Sequence, residues 1–499
     1  MTISDEEEEQ LIMFLHGPGG SGKSACIEIL KVYAGQFCEM LGVPFTKNTI
    51  RITAMSGVAA TVLGGDTAHS ACALMRTPTS NDIDAFLETR MLILDEVSFA
   101  SPSEIEKLDK KLRILKNVMG KKYGGLHIVF AGDFRQLAPV GKRTIYEQGC
   151  TEFTDWVNMY IELDGTHRFN QDKKWGEILT RMRNGEITME DLLKLNSECV
   201  VKPGVTLPDG LQYCSYSNRT RDIINTMTFD AYCENNIDTE TNTVPDALII
   251  FSDNLQRKTG NKVYEPIRRR RFFYENCGED DIKVGQMKPR LDPALKIFPN
   301  APMMLTHNKS VGTGEANGTC CTPKQVALKP GEEPFKVLIP EKGYYVKGVW
   351  ASQVKSMTCS HQNPDIVPQE FELEPEDFLV DALWPLPSSL QEMGQRTRES
   401  IPMKMTQIPI VRNTGTTGHK LQGKTVESIL VYDWNYKQNW AYVALSRSKT
   451  MKGVFMRSPL SLDLTKYKID DDLIEMMKTF QKKEASYDDE DFYDDILEM

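Results

Sequence analysis

The chain has 499 residues, 40% hydrophobic and 26% charged, the balance of a soluble globular protein with room for about three domains. No apolar run approaches the roughly 18 residues a membrane span needs, and the N-terminus is acidic where a signal peptide would be basic. Neither a membrane partner nor a signal peptide is expected. The net charge of −11 by itself opposes a polyanionic partner, but the acid sits at the ends. Asp5 to Glu9 hold five negative charges and the stretch from Glu484 to Met499 holds eight, with no Lys or Arg in either. Setting these thirteen aside leaves a body near +2, compatible with nucleic acid. The tail reads as a solvated, disordered end, with a self-inhibitory mimic of nucleic acid as the sharper alternative. Eleven cysteines without a CxxC and seven histidines without metal spacing suggest neither a zinc site nor a disulfide framework.

From residue 11 to about 165, apolar runs alternate with helical patterns, as in a parallel sheet flanked by helices. The expected strands are Leu11 to Leu15, Thr49 to Ala54, Met91 to Leu94 and Leu126 to Ala131. Behind the first comes Gly17-Pro18-Gly19-Gly20-Ser21-Gly22-Lys23-Ser24, a phosphate-binding loop that opens the helix-compatible run Ala25 to Leu30. Its glycines let backbone N–H groups fold around phosphates, Lys23 reaches the β- and γ-phosphates, and Ser24 ligates Mg²⁺. A nucleoside triphosphate is therefore expected.

Met91-Leu92-Ile93-Leu94-Asp95-Glu96 is an apolar strand ending in two carboxylates. Beside a phosphate loop, Asp95 would hold Mg²⁺ directly or through water, and Glu96 would orient and deprotonate the attacking water. Ile128 to Ala131 then runs into Gly132-Asp133-Phe134-Arg135-Gln136-Leu137-Ala138-Pro139-Val140, where Gln136 is suited to touch the γ-phosphate or the lytic water. Beyond residue 166 come the helical stretch Trp175 to Arg183 and the strand Ala247 to Phe251. A Pro-rich, acidic region from about 320 to 400 carries short alternating runs, Phe335 to Ile339 and Tyr344 to Trp350, that suit a small β insertion. From Gln407 to Phe455 the strand-loop-helix texture returns.

This order of motifs resembles the petite-integration-frequency (Pif-type) branch of superfamily 1B DNA helicases, relatives of the RecD helicases. The string at Gly132 to Val140 matches motif III of that family except at Ala138, where proline is usual. The segments from Ile50 to Ala60 and from Gly65 to Ser70 are similar to those implied to touch single-stranded DNA, through Thr53, Gly57, His69 and Ser70. Leu163 to Phe169 resembles motif IV and makes Arg168 a candidate arginine finger. Ala301 to Asn308 with Ala316 to Thr319 is similar to a DNA-contacting segment that includes Asn317, although Asn317-Gly318 is equally a turn signal. Thr417 to Thr425 and Tyr442 to Arg447 resemble the last motifs: Gln422 and Gly423 would approach the nucleotide, His419 and Lys420 would serve nucleic acid or interdomain contacts, and Arg447 would reach a γ-phosphate across a cleft.

The resemblance implies an α/β fold of two RecA-like P-loop motor domains with a small β-rich, SH3-like insertion. The expected bounds are an acidic N-terminus at 1–10, a first motor domain over 11–165, a second over 166–319 and 406–465, the insertion over 320–405, and a C-terminal helix with acidic tail over 466–499. It also implies ATP and Mg²⁺ as cofactors, single-stranded DNA and duplex junctions as partners, a monomer, and 5′-to-3′ movement. A eukaryotic source would place it in nucleus or mitochondrion, and any other in the cytoplasm. An ATP-regulated nucleic-acid-binding module, such as the helicase part of a transposon protein, and an RNA translocase are the alternatives, because backbone grips do not distinguish the sugar. About 16 residues precede the loop, too few for the helix and glutamine with which the family recognises adenine, so Gln10 sits too close to serve. Arg268 to Arg271 beside Phe272, Phe273 and Tyr274 could pair phosphates and stack bases, or be a solvated basic segment.

Overall fold

The apolar runs become strands of one parallel sheet. β1 (Ile12–His16), β2 (Ile50–Ala54), β3 (Asp66–Thr67), β4 (Met91–Asp95), β5 (His127–Gly132) and β6 (Met159–Glu162) lie in the order β3-β2-β4-β5-β1-β6. Every neighbouring pair is parallel, which requires apolar cover on both faces and explains the near-continuous Ile, Leu, Val and Phe in β1, β4 and β5. The register sets His16 beside Gly132 and Leu94 beside Phe130. The loops that follow β1, β4 and β5 therefore emerge side by side, where an α/β sheet places its ligand chemistry.

The structure, a computed structural model, describes residues 10–139, 141–165, 167–208, 210–256, 282–283, 291–307, 309, 314–339, 342–362, 367–385 and 398–483. The two acidic ends (apart from residue 10), the basic run Arg268 to Arg271 with its aromatics, and Val140, Thr166 and Asn308 of the motif strings lie outside the described residues.

On one face of the sheet, helix α1 (Lys23–Met40) contributes Ile27 to a core with Leu15, Ile52, Ile93 and Val129. On the other, α2 (Pro102–Leu115) starts at a capping box in which Glu104 returns bonds to Ser101, and proline occupies its first turn. It buries Ile105, Leu108, Leu112 and Leu115 against Phe14, Phe130 and Phe153.

The chain divides into two compact units, residues 1–210 with 421–499, and residues 211–420. The expected boundaries at 165/166 and 405/406 do not coincide with this division. Residues 166–210 stay with the phosphate loop because helix α3 (Lys173–Arg183) is anchored there: Arg183 bonds the buried Asp133, and the Trp175 indole N–H donates to Ser448 O at 3.1 Å. The same unit contains α4 (Trp440–Leu445), whose six residues are all buried, and α5 (Asp471–Gln481), which inserts Leu473, Met476, Met477 and Phe480 into the sheet's core.

The second unit is β-rich. One sheet orders Ala294–Ile297, Thr243–Phe251, Tyr344–Trp350 and Phe335–Ile339; a second orders Glu370–Leu373, Val354–His361, Cys320–Leu328, Met303–Leu305 and Ile410–Arg412. Glu376–Pro385 pairs antiparallel with Arg398–Gln407. Ile250, Leu295, Met303, Cys321, Val349, Met357 and Ile410 form a shared core, so the strands expected from alternation at 335–339 and 344–350 belong to a larger body than a small insertion.

Candidate nucleotide site

The phosphate loop turns where only glycine turns easily. Gly20 and Gly22 have φ of +88 and +101, and a Cβ on Gly20 would meet the Arg168 Cβ at 2.7 Å. Gly17 allows an equally close approach, since a Cβ there would lie 2.6 Å from Ser21 Oγ. Lys23 opens α1 and donates from Nζ to Gly17 O at 2.6 Å and Pro18 O at 3.0 Å, which lays the ammonium along the loop. Burial pulls its pKa below the ordinary value, opposed by the carboxylates of Asp133, Glu96 and Asp95. Ser24 follows in the exposed first turn of α1.

The carboxylates expected beside the loop end β4. Asp95 is almost fully buried, and burial first, then the charge of Glu96, push its pKa up to about 7. A bound cation would reverse that pressure. Glu96 sits in the left-handed region with φ 54, uncommon for a residue with a side chain, and the turn points the chain out of the strand. Its Oε2 accepts from Gln422 Nε2 at 2.9 Å, and Gly423 is near enough that a Cβ would lie 3.6 Å from Glu96 Oε1. The two late-chain residues expected near the nucleotide therefore meet the Glu96 carboxylate.

Gln136 and Arg168 also converge on the loop. A Cβ on Gly19 would lie 3.3 Å from Arg168 Nη1 and 3.7 Å from Gln136 Nε2. Arg168 donates to Ser446 O at 3.1 Å; burial lowers its pKa, but a guanidinium stays charged. Arg447 is 1% exposed and held by carbonyls: Nε to Val443 O at 2.7 Å, and Nη1 to Leu421 O and Lys424 O at 3.3 and 3.4 Å. Both arginines, expected from a second motor domain, lie in the unit that holds the phosphate loop.

A triphosphate and a divalent cation fit these residues. Among the described residues, Ser21 Oγ and Gln422 Oε1 are buried polar atoms with no hydrogen-bond partner, and such atoms are costly unless something pairs with them. The loop amides, the Lys23 ammonium and Arg168 supply positive charge, and Asp95 with Ser24 supplies the oxygen donors that Mg²⁺ takes.

The sequence reading missed the group behind Gln136. Asp133, 1% exposed, accepts from Arg183 Nε and Nη2 at 3.0 and 2.9 Å, from Gln136 Nε2 at 3.2 Å and from Arg135 N at 3.0 Å, with His16 Nε2 at 3.3 Å. Burial alone would raise its pKa, but Arg183 and His16 hold it well below the usual carboxylate range. The available signal was an acid at the end of a fully apolar strand, which demands a buried cation.

The residues expected at DNA fare differently. Thr53 is a correction: it is 1% exposed and donates its hydroxyl to Ile93 O at 2.7 Å, tying β2 to β4. His69 pairs with Glu104 at 3.2 Å, and Lys142 reaches the same carboxylate at 2.7 Å. Gly57 opens a short helix capped by Ser56, and Ser70 is exposed. In the second unit, Lys420 Nζ lies 3.5 Å from Asn317 Oδ1, and burial lowers the pKa of the neighbouring His419. Gln10 donates to Lys122 O and Leu126 O, a structural use at the far end of the sheet.

A parallel sheet with a phosphate loop after β1, paired acids after β4 and a glutamine after β5 defines a P-loop protein of the RecA-like class. A model of the PIF1-like helicase family matches residues 2–191. It is 31% identical over 214 residues to the ATP-dependent DNA helicase RRM3 of Saccharomyces cerevisiae, covering 38% of this chain and 28% of that one. To the ATP-dependent DNA helicase PIF1 of Candida albicans it is 23% identical over 518 residues, covering 91% and 54%. The chain thus spans about half or less of the curated relatives it matches. The crystal structure of Pif1 helicase from Bacteroides in complex with ADP-AlF3 and ssDNA is similar over 95% of both chains, with TM-score 0.63 and 19% identity. That of Candida albicans Pif1 gives 95% of both, 0.63 and 21%. The fold is that of the Pif1 helicases.

Proposed function

We propose that this chain is an ATP hydrolase that couples turnover to 5′-to-3′ movement along single-stranded DNA and to unwinding at duplex junctions. The observation that carries this is the approach of Gln136 and Arg168 to the phosphate loop along which Lys23 lies, with the charge of the Gln422-bonded Glu96 acting on Lys23. Its relatives are named ATP-dependent DNA helicases, and the similar Bacteroides protein was crystallised with single-stranded DNA. Mg²⁺-bound ATP supplies the γ-phosphoryl group whose transfer to water drives movement.

Lys23, Arg168 and Arg447 neutralise phosphate charge, Asp95 and Ser24 hold the cation, and Glu96 takes the proton of the attacking water. Gln422 holds Glu96 in place while Gln136 orients the water. Gly57, His69, Ser70, Asn317, His419 and Lys420 grip the strand, small and polar groups being suited to backbone phosphates. The working unit is a monomer, although one similar structure concerns unwinding at forked dsDNA by two coordinating Pif1 helicases. The reading places a eukaryotic form in nucleus or mitochondrion.

The test is ATP hydrolysis with and without single-stranded DNA, for wild type, Lys23→Ala and Glu96→Gln. Stimulated hydrolysis in wild type alone is expected; a wild-type rate equal to the Lys23→Ala background would overturn the reading. Duplexes with 5′ or 3′ tails, in DNA and in RNA, then separate DNA motor, RNA translocase and a binding module that does not unwind.

A further inference from the structure

Gln136 is bonded to a buried carboxylate, that of Asp133. The motif III loop leaves β5 at Gly132, and Asp133 at its start is enclosed by three elements: His16 at the end of β1, Arg183 in the last turn of α3, and Gln136 within the loop itself. Arg183 meets it with a bidentate fork, the strongest and most directional of protein ion pairs. Asp133 then has one oxygen, Oδ2, shared between Arg183 Nε and the Gln136 amide. Any rotation of the carboxylate moves the anchor of the Gln136 side chain.

Arg183 is also fixed from behind. Asn439, immediately before α4, donates from Nδ2 to the carbonyls of Arg183 and Arg135 at 3.1 and 2.9 Å. The start of α4 is thereby joined to Arg183 and to Arg135, the residue before Gln136.

We propose that Arg183 is a positioning residue for hydrolysis, acting on Gln136 through Asp133. This rests on the reading of the chain as an ATP hydrolase with Gln136 at the γ-phosphate. Removing the fork releases the Asp133 carboxylate, and the Gln136 amide loses its fixed orientation, while the hydrogen bonds of Lys23 to Gly17 O and Pro18 O involve neither residue. The effect falls on turnover, with nucleotide binding preserved.

A double-mutant cycle tests it, with Arg183→Gln, Gln136→Ala and the pair, measuring kcat, KM and the dissociation constant of a fluorescent ATP analogue. Arg183→Gln is expected to lower kcat by roughly 10- to 100-fold with nucleotide affinity changed less than about threefold. In the Gln136→Ala background the same substitution should add almost nothing. Arg183→Lys, which keeps charge without the fork, should fall between. Losses that multiply in the double variant, or affinity that falls in step with kcat, would overturn the proposal. Should Arg183→Gln not fold, Asp133→Asn, nearly isosteric, takes its place in the cycle with the same expectations. The wild-type rate tests the motor reading by itself, whereas the ratio within the cycle tests only this coupling.

Discussion

Gln422 Nε2 donates a 2.9 Å hydrogen bond to Glu96 Oε2 across 326 positions of sequence. Glu96 follows β4 with left-handed backbone torsions, so its carboxylate needs an external anchor, and Gln422 provides one from the last part of the chain. Gln422→Ala should therefore lower the rate of ATP hydrolysis by about tenfold, roughly 1.4 kcal/mol of barrier. Glu96→Gln, which removes the proposed base, should lower it by about 10²- to 10⁴-fold. Steady-state hydrolysis with parallel nucleotide-binding measurements checks both; equal effects of the two substitutions would contradict the anchoring role.

Gly20 and Gly22 share positive φ but differ in surroundings. A Cβ on Gly20 would collide with Arg168 at 2.7 Å, whereas at Gly22 nothing lies within 4 Å. Gly20→Ala should displace Arg168 as well as strain the loop, and reduce both nucleotide affinity and kcat. Gly22→Ala should show only the strain, on the order of 1 kcal/mol. Fluorescent-nucleotide titration and turnover of the two variants make the comparison, and equal losses in both would mean that Arg168 is irrelevant to the site.

Asp95 imposes a pH dependence on the nucleotide-free protein. Its carboxyl titrates at about 7 in the folded chain and near ~3.9 when unfolded, so between those values the folded state holds a proton that the unfolded state has released. Stability from this group accordingly falls as pH rises from about 4 to about 7. Asp95→Asn should flatten that part of the profile and raise the melting temperature at pH 7 and above. A thermal-melting series from pH 5 to 8 without nucleotide or metal makes the comparison; parallel curves for the two proteins would argue against it.

Phe480 ties α5 to the strands behind the phosphate loop. Its ring centroid lies 5.2 Å from that of Phe14, 5.4 Å from Phe153 and 6.0 Å from Tyr160, and the side chain is fully buried. Phe480→Ala should cost about 3–5 kcal/mol, seen as a lower midpoint in denaturant unfolding of the first unit. A shift below about 1 kcal/mol would mean that α5 is dispensable to this core.

Much of the site could be read in the order of residues. The strings around Lys23, Asp95 and Gln136 pair a short apolar strand with the loop that follows it, and both are set by neighbours in sequence. The strands formed within a residue or two of expectation at 12–16, 50–54, 91–95 and 127–132 for that reason. Thr53 misled because its hydroxyl resembles a phosphate contact in a string, while its place inside a central strand commits it to Ile93 O. The boundary at residue 166 misled because a change of texture along the chain does not report which surface the next helix covers.

Residue order alone identifies the phosphate loop and the acids beside it, since each depends on contacts a few positions apart. Folding alone determines that Gln422 holds Glu96, that Arg168 lies over the loop glycines, and that Asp133 is gripped by an arginine 50 positions away. The reason is desolvation: a carboxylate closed off from water must find a cation or donor in space, and nothing local in the chain specifies which element will bring it.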